Sequence, residues 1–118
     1  MYNFGGIKVK IAYIFSSTNA HKILDKMIIP QLEQGNHGAE VLGMFFFMDN
    51  TLFLTKGNPV GERLSKLHDK TGMIIMGCDQ CTIERGIDNN LVDGATIGCF
   101  PNLYTCLGNA GIDQVITL

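Results

Sequence analysis

The sequence MIIMGCDQCTIERG, residues 73–86, describes a buried strand that passes directly into a helical turn. Residues 73–77 are apolar or glycine, which is typical of a short strand covered on both faces. Residues 82–85 suit one or two helical turns, and Gly86 ends them. A strand followed at once by a helix is the unit from which parallel α/β sheets are built.

Four more strands are predicted on the two sides of this unit. Each is rich in apolar residues and bounded by turn formers, and together they occupy residues 7–15, 39–48, 95–100 and 113–118. Helical patterns separate them, one starting at Asn58-Pro59 and stopping at Gly72, another running from Pro101 to Gly111. Residues 51–57 are ambiguous, because apolar side chains stand there between turn signals.

The first helix follows strand one, with apolar side chains at helical spacing and Pro30 within the pattern. Proline removes a backbone donor and clashes with the preceding turn, so we expect Pro30 to kink or split this helix. The whole alternation predicts one domain over residues 1–118 with an α/β fold. We expect three layers, α/β/α, around a mainly parallel five-stranded sheet, with chemistry at the carboxyl ends of the strands.

Composition excludes several classes of protein. The chain has 118 residues, of which 46% are hydrophobic and 17% charged, so intrinsic disorder is excluded. Nine basic and eleven acidic residues give a net charge of -2, which predicts neither nucleic-acid nor membrane-surface binding. The longest apolar run, residues 41–48, is far shorter than the roughly 20 residues of a membrane span. No secretory signal is visible, so we expect a cytoplasmic protein.

Four cysteines carry the strongest chemical signal, and a cytoplasmic chain would keep them reduced. Cys78 and Cys81 lie where the third strand meets its helix, so free backbone N–H groups and the helix dipole would favour thiolate there. Arg85, one turn after Cys81, would add a positive charge. We therefore predict Cys78 and Cys81 as the catalytic pair.

The other candidate residues give weaker signals. Cys106 falls on the apolar stripe of the last helix and is predicted to be core, whereas Cys99 ends the fourth strand, which would bring it toward Cys78 if the two strands are neighbours. The spacing C-x2-C-x17-C-x6-C lacks the closing C-x2-C of a zinc ribbon, so no metal site is predicted. His21 lies near the same edge, as an acid–base group or a solvated side chain.

Residues 76–87, MGCDQCTIERGI, resemble the cysteine loop of the DsrE/DsrF-like and YchN-like sulfur-relay family. In that family a cysteine closes the third strand and an Arg-Gly pair follows seven and eight residues later, as Arg85-Gly86 follow Cys78. The similarity continues through residues 91–95 and 110–118. It covers most of the chain, although only the cysteine loop is specific.

This resemblance implies a DsrE/DsrF-like domain that assembles as a homotrimer or homohexamer and relays sulfur without a cofactor. Cys78 would carry a persulfide and pass sulfur between protein thiols, with Arg85, Asp79 and Gln80 stabilising the persulfide. Cys81 would either attack the inner sulfur, which releases sulfide and leaves a Cys78–Cys81 disulfide, or only shape the pocket.

Two other functions remain open at this stage. A dithiol redox protein would use the same pair, although the loop lacks the Gly-Pro and the preceding tryptophan of thioredoxin. A non-enzymatic oligomeric binding module would leave the cysteines passive. The apolar residues 52–54, on the same rim, are predicted to form a subunit contact, because exposed apolar clusters mark interfaces.

Overall fold

The computed structural model describes residues 8–118. Its five strands are β1 (Lys10–Phe15), β2 (Glu40–Phe46), β3 (Ile74–Cys78), β4 (Ala95–Gly98) and β5 (Gln114–Thr117). All neighbours pair in parallel, in the order β4-β3-β2-β1-β5. The predicted α/β architecture with a five-stranded sheet is confirmed. The predicted start of the first strand, residue 7, lies outside the described residues.

Helices connect the strands. They are α1 (Ala20–Ile23), α2 (Ile29–Gln34), α3 (Pro59–Thr71), α4 (Asp79–Glu84) and α5 (Phe100–Ala110). A π-helical turn, Leu24–Ile28, joins α1 to α2, and a 3₁₀ helix, Met48–Leu54, follows β2. We call this 3₁₀ helix the strap. Over residues 8–118, none of the helices is both long enough and apolar enough to cross a bilayer.

Pro30 was expected to kink or split the first helix, and the regular α-helical pattern is interrupted directly before it, by the π-helical turn Leu24–Ile28. Proline lacks an N–H, and its ring clashes with the carbonyl one turn back, so a regular α-helical bond cannot form there. The wider π turn accommodates the proline, and the chain stays helical on both sides of it.

Helices cover both faces of the sheet, which gives the predicted three layers. On one face, α1, α2 and α3 pack against a core that includes Phe15, Met44 and Phe46. On the other face, Leu103 of α5 packs against a smaller group, Ala12, Phe45 and Met76. Successive residues of β2 serve opposite cores, as the alternation of side chains along a strand requires.

The strap lies at the carboxyl edge of the sheet and packs against α3. A Cβ atom on Gly61 would clash with the carbonyl oxygen of Phe53, so the two segments meet backbone to backbone. Leu54 is fully buried and Phe53 packs against the core, whereas Leu52 is 44% exposed. Residues 52–54 therefore do not form one exposed cluster, because the 3₁₀ turn points successive side chains in different directions. Leu52, and the exposed part of Phe53, remain available for the predicted subunit contact.

Candidate functional site

The cysteine pair lies at the carboxyl edge of the sheet, at the junction of β3 and α4. Cys78 is the last residue of β3 and Cys81 lies in the first turn of α4, so the predicted placement of both is confirmed. Gly77 makes this junction compact. A Cβ there would lie 3.3 Å from the side chains of both Leu54 and Thr82, so glycine lets the strap and α4 approach the strand.

Cys78 is half-buried, and its Sγ accepts a hydrogen bond from the Cys81 N–H at 3.3 Å. Burial raises the pKa of the Cys78 thiol, and the neighbouring Cys81 side chain raises it further, whereas the backbone N–H groups of Cys81 and Gln80 lower it. The net direction is upward. The position at a helix start predicted the opposite, but α4 has only six residues, so its dipole is small.

Cys81 is only 8% exposed and has a donor from a distant part of the chain. Its Sγ accepts a hydrogen bond from the Met48 N–H at 3.2 Å. Met48 has a φ of 55° and is the one residue other than glycine with a positive φ between residues 8 and 118. Its carbonyl accepts from the Thr51 hydroxyl at 2.7 Å. The backbone of the strap is thereby held so that the Met48 amide faces the sulfur.

Arg85 ties the strap to α4. Its Nε and Nη2 donate to Oδ1 of Asp49 at 2.9 and 2.8 Å, and its Nη1 donates to the Cys81 carbonyl at 3.1 Å. The Asp49 carboxylate raises the pKa of Arg85 above its ordinary value, with a smaller contribution from the sulfur of Cys81. Over residues 8–118, no Arg85 hydrogen bond reaches a cysteine sulfur. The positive charge is therefore beside Cys81, as its spacing in the sequence predicted, but is held by an aspartate.

Asp79 and Gln80 occupy the turn between the cysteines. Oδ1 of Asp79 accepts the Gln80 N–H at 2.6 Å, so the carboxylate stabilises the turn. As an acceptor, it offers no hydrogen bond to a sulfur anion on Cys78. The Gln80 backbone also favours ionised Cys78, whereas its side chain is exposed. Among these residues, backbone N–H groups are thus the donors that a sulfur anion on Cys78 would use.

The remaining candidates lie apart from the pair. Gly98, not Cys99, is the register partner of Cys78, and Cys99 caps α5 in a capping box with Asn102. Cys106 packs against the α5-side core, as predicted. The His21 ring meets Phe53 of the strap edge-on, with centroids 4.6 Å apart. In the described part of the chain, no three His, Cys, Asp or Glu side chains are grouped as metal ligands.

Sequence reasoning missed two features of this edge. One is the strap, whose Met48 and Asp49 complete the surroundings of Cys81. The other is a row of aromatic rings. Phe47 stacks on Phe100 at 5.4 Å between centroids, and Phe100 stacks on Tyr104 at 6.1 Å. Phe100 is 50% exposed and Tyr104 64%. In the sequence, the run of phenylalanines at the end of β2 is the one feature that indicated this row of rings.

Three solved structures share the fold. The ychN protein from E. coli matches with a TM-score of 0.67 and 19% identity, over 95% of this chain and 100% of that chain. BT1422 from Bacteroides thetaiotaomicron, a conserved protein of unknown function, has a TM-score of 0.66 and 13% identity, over 92% of this chain and 94% of that chain. MTH1491 from Methanobacterium thermoautotrophicum, also a protein of unknown function, has a TM-score of 0.65 and 11% identity, over 95% of this chain and 100% of that chain.

Comparison by sequence gives nothing further, since neither a family model nor a curated protein matches this chain. The structural likeness extends over nearly the whole chain, at identities below 20%. It therefore establishes that this chain has the fold of the ychN protein, and leaves the chemistry to be argued from the residues of the site.

Proposed function

We propose that this protein is a sulfur carrier, in which Cys78 accepts a sulfane sulfur from a donor persulfide and passes it to an acceptor thiol. The observation that carries the proposal is the environment of the Cys78 Sγ atom. It is half-buried at the carboxyl edge of the sheet, accepts the Cys81 N–H at 3.3 Å and has a second thiol beside it. The resemblance of residues 76–87 to the sulfur-relay cysteine loop supports the same chemistry.

The reaction is a pair of sulfur transfers. The Cys78 thiolate attacks the outer sulfur of a donor R–S–SH, the donor S–S bond breaks, R–S⁻ leaves and Cys78 carries –S–SH. An acceptor thiolate then attacks the outer sulfur and releases the Cys78 thiolate. A persulfide is more acidic than a thiol, so it is held as an anion, for which the Cys81 and Gln80 N–H groups are donors.

The raised pKa of Cys78 has a consequence for the resting state. At neutral pH the thiol keeps its proton for most of the time, and thiolate, not thiol, is the nucleophile. The free protein would therefore react slowly with small oxidants and electrophiles. A donor that binds over Cys78 and supplies an acceptor for its proton would load the site faster than a small persulfide in solution.

The partners in this proposal are protein persulfides and protein thiols. Exposed apolar side chains surround the site at Met48, Leu52, Phe100 and Tyr104, and such a surface suits contact with other chains. We propose that the chain, as one domain over residues 1–118, works in the cytoplasm as a homotrimer or homohexamer. Arg85, Asp79 and Gln80 shape the loop around the persulfide, the last two through backbone geometry.

The decisive experiment is intact mass after a short incubation with a cysteine desulfurase and cysteine, quenched with an alkylating reagent. The wild-type protein should gain the mass of one sulfur atom, and dithiothreitol should remove it. Cys78→Ser should gain nothing, whereas Cys99→Ser, a cysteine at the end of the neighbouring strand, should load like the wild type. Loading of Cys78→Ser, or no loading in either the wild type or Cys81→Ser, would contradict the proposal.

A dithiol redox protein is the second candidate, favoured by one observation. Cys78 and Cys81 are both free and share the first turn of α4, with the Cys81 N–H on the Cys78 sulfur. Against it, the Cys-Asp-Gln-Cys loop lacks the Gly-Pro and the preceding tryptophan of thioredoxin. Reduction of insulin by the dithiol form at a rate near that of thioredoxin would favour this candidate. Absence of both activities would favour a passive binding module.

A further inference from the structure

The two sulfurs of the pair have different surroundings. Cys78 is half-buried and accepts a hydrogen bond from its own turn, the Cys81 N–H. Cys81 is buried under the strap and accepts a hydrogen bond from the Met48 N–H, 33 positions earlier in the chain. A donor so remote in sequence is directed at the Cys81 sulfur by the fold and not by the local turn.

A positive charge accompanies that donor. The guanidinium of Arg85 bridges the Cys81 carbonyl and the Asp49 carboxylate, so it holds the strap and α4 together beside the Cys81 sulfur. The strap itself is fixed by two more bonds, from Thr51 to the Met48 carbonyl and from Asn50 to the Phe47 carbonyl. A buried anion is tolerated where a hydrogen-bond donor and a cation are both in place.

From this arrangement we infer that Cys81 is a resolving cysteine, through which the loaded protein discharges its sulfur as sulfide. The inference rests on the proposed function, because it needs a persulfide on Cys78. Met48 and Arg85 are positioning residues, which hold the strap over Cys81 and keep its sulfur close to Cys78.

The Cys81 thiolate attacks the Cys78 Sγ of Cys78–S–SH, and the bond between that sulfur and the outer sulfur breaks. HS⁻ leaves and a Cys78–Cys81 disulfide remains, so the sulfane sulfur is reduced while the two cysteines are oxidised. An external dithiol then reduces the disulfide and restores the pair. The activity is thus thiol-dependent release of sulfide from a protein persulfide.

This activity competes with transfer to an acceptor thiol. A bound acceptor thiolate attacks the outer sulfur, whereas Cys81 attacks the inner one. In the absence of an acceptor the second reaction empties the site. The chemical class of substrate is therefore the same sulfane sulfur, and Cys81 decides whether it leaves as sulfide or on a partner.

Sulfide release after loading tests this inference. The wild-type protein should release about one sulfide for each sulfur loaded, and peptide mapping should find the Cys78–Cys81 disulfide. Cys81→Ser should load on Cys78, keep the added mass and release sulfide at least about tenfold more slowly. Cys99→Ser is the matched control and should behave like the wild type. Equal release by Cys81→Ser would overturn the inference.

The ratio of sulfide release to loading tests the positioning role of Arg85. Arg85→Gln should slow sulfide release about tenfold and slow the loading of Cys78 much less, because the charge-assisted bonds that hold the strap against α4 beside Cys81 are lost. Arg85→Lys keeps the charge and should release sulfide within about threefold of the wild type. An unchanged ratio of release to loading in Arg85→Gln would overturn the role of Arg85.

The two proposals fail separately in this design. No added sulfur on Cys78 of Cys81→Ser would contradict the carrier function itself. Normal loading with no sulfide release and no Cys78–Cys81 disulfide in the wild type would contradict the resolving role alone.

Discussion

Cys78 and Cys99 lie at the ends of neighbouring parallel strands, and each begins a helix. The Sγ atom of Cys78 accepts the N–H of the residue three positions on, which is Cys81. The N–H of Cys99 donates to Oδ1 of the residue three positions on, Asn102, at 2.9 Å, within a capping box. At both sites a hydrogen bond thus links the cysteine to the residue three positions on, at the start of a helix.

The difference lies in what the rest of the chain brings to each site. The strap places a backbone N–H on the sulfur of Cys81 and an aspartate on Arg85, so the first site holds two thiols, a remote donor and a fixed charge. The second site has an asparagine and exposed aromatic rings. A cysteine at the end of a strand is thus by itself a helix cap, and at the first site a second segment, the strap, adds a remote hydrogen-bond donor and an ion pair.

Of the changes that separate the two sites, displacing the strap should have the largest effect on the free energy of unfolding. Gly61→Ala puts a Cβ against the Phe53 carbonyl, and forced overpacking of this kind costs about 1–3 kcal/mol of unfolding free energy. Gly108→Ala is the matched control, because open space surrounds that position in α5 and alanine should stabilise the helix by about 0.5–1 kcal/mol. Urea unfolding measures both. Equal effects would show that the strap does not rest on α3.

Removing the cap at the start of α5, where Cys99 lies, should have a smaller effect on the free energy of unfolding. Asn102→Ala loses the side-chain acceptor at the start of α5 and should lower the free energy of unfolding by about 1 kcal/mol. Asn109→Ala, exposed near the end of the same helix, should change it by only a few tenths. Sulfur loading of Cys78 should be the same in both variants. Reduced loading in Asn102→Ala would mean that the two sites are coupled.

The smallest effect concerns the ionisation of Cys78. The Cys81 thiol contributes to the raised pKa of Cys78, so Cys81→Ala should lower that pKa and speed alkylation of Cys78 at neutral pH. The change is limited because burial, the larger cause, stays in place. Rates of iodoacetamide labelling between pH 6 and about 10, resolved by peptide mass, measure it. Cys99→Ala should leave the profile of Cys78 unchanged, and slower labelling in Cys81→Ala would contradict the electrostatic argument.

Most of the fold could be predicted because its signals are local. Asn58 was expected to cap α3, and its Oδ1 accepts the Val60 N–H at 2.9 Å. Gly72 and Gly111 were expected to end α3 and α5, and both have the left-handed backbone of a helix C-cap, with φ of 76° and 69°. The apolar strands β1, β2 and β3 required cover on both faces, which the helices supply, whereas all four residues of the edge strand β5 are exposed.

The site was predictable only as far as local spacing reaches. One turn of α4 brings Cys81 and Arg85 to the same side, and the Arg85 contact with the Cys81 carbonyl agrees with that. The pairing of Arg85 with Asp49 joins residues 36 positions apart, and no local sequence pattern predicts such a contact. The left-handed backbone of Met48 could likewise not be predicted from the sequence, because glycine and asparagine are the usual residues at such positions.

The backbone of Met48 also bears on how this protein would respond to selection for heat resistance. A left-handed methionine costs about 1–2 kcal/mol, which a glycine at the same place would not. Met48→Gly would therefore be among the first gains of a screen for thermal tolerance, and it would widen the range of backbone angles open to the amide that faces Cys81. Heat tolerance and the fixed orientation of this amide would then be selected in opposite directions at residue 48.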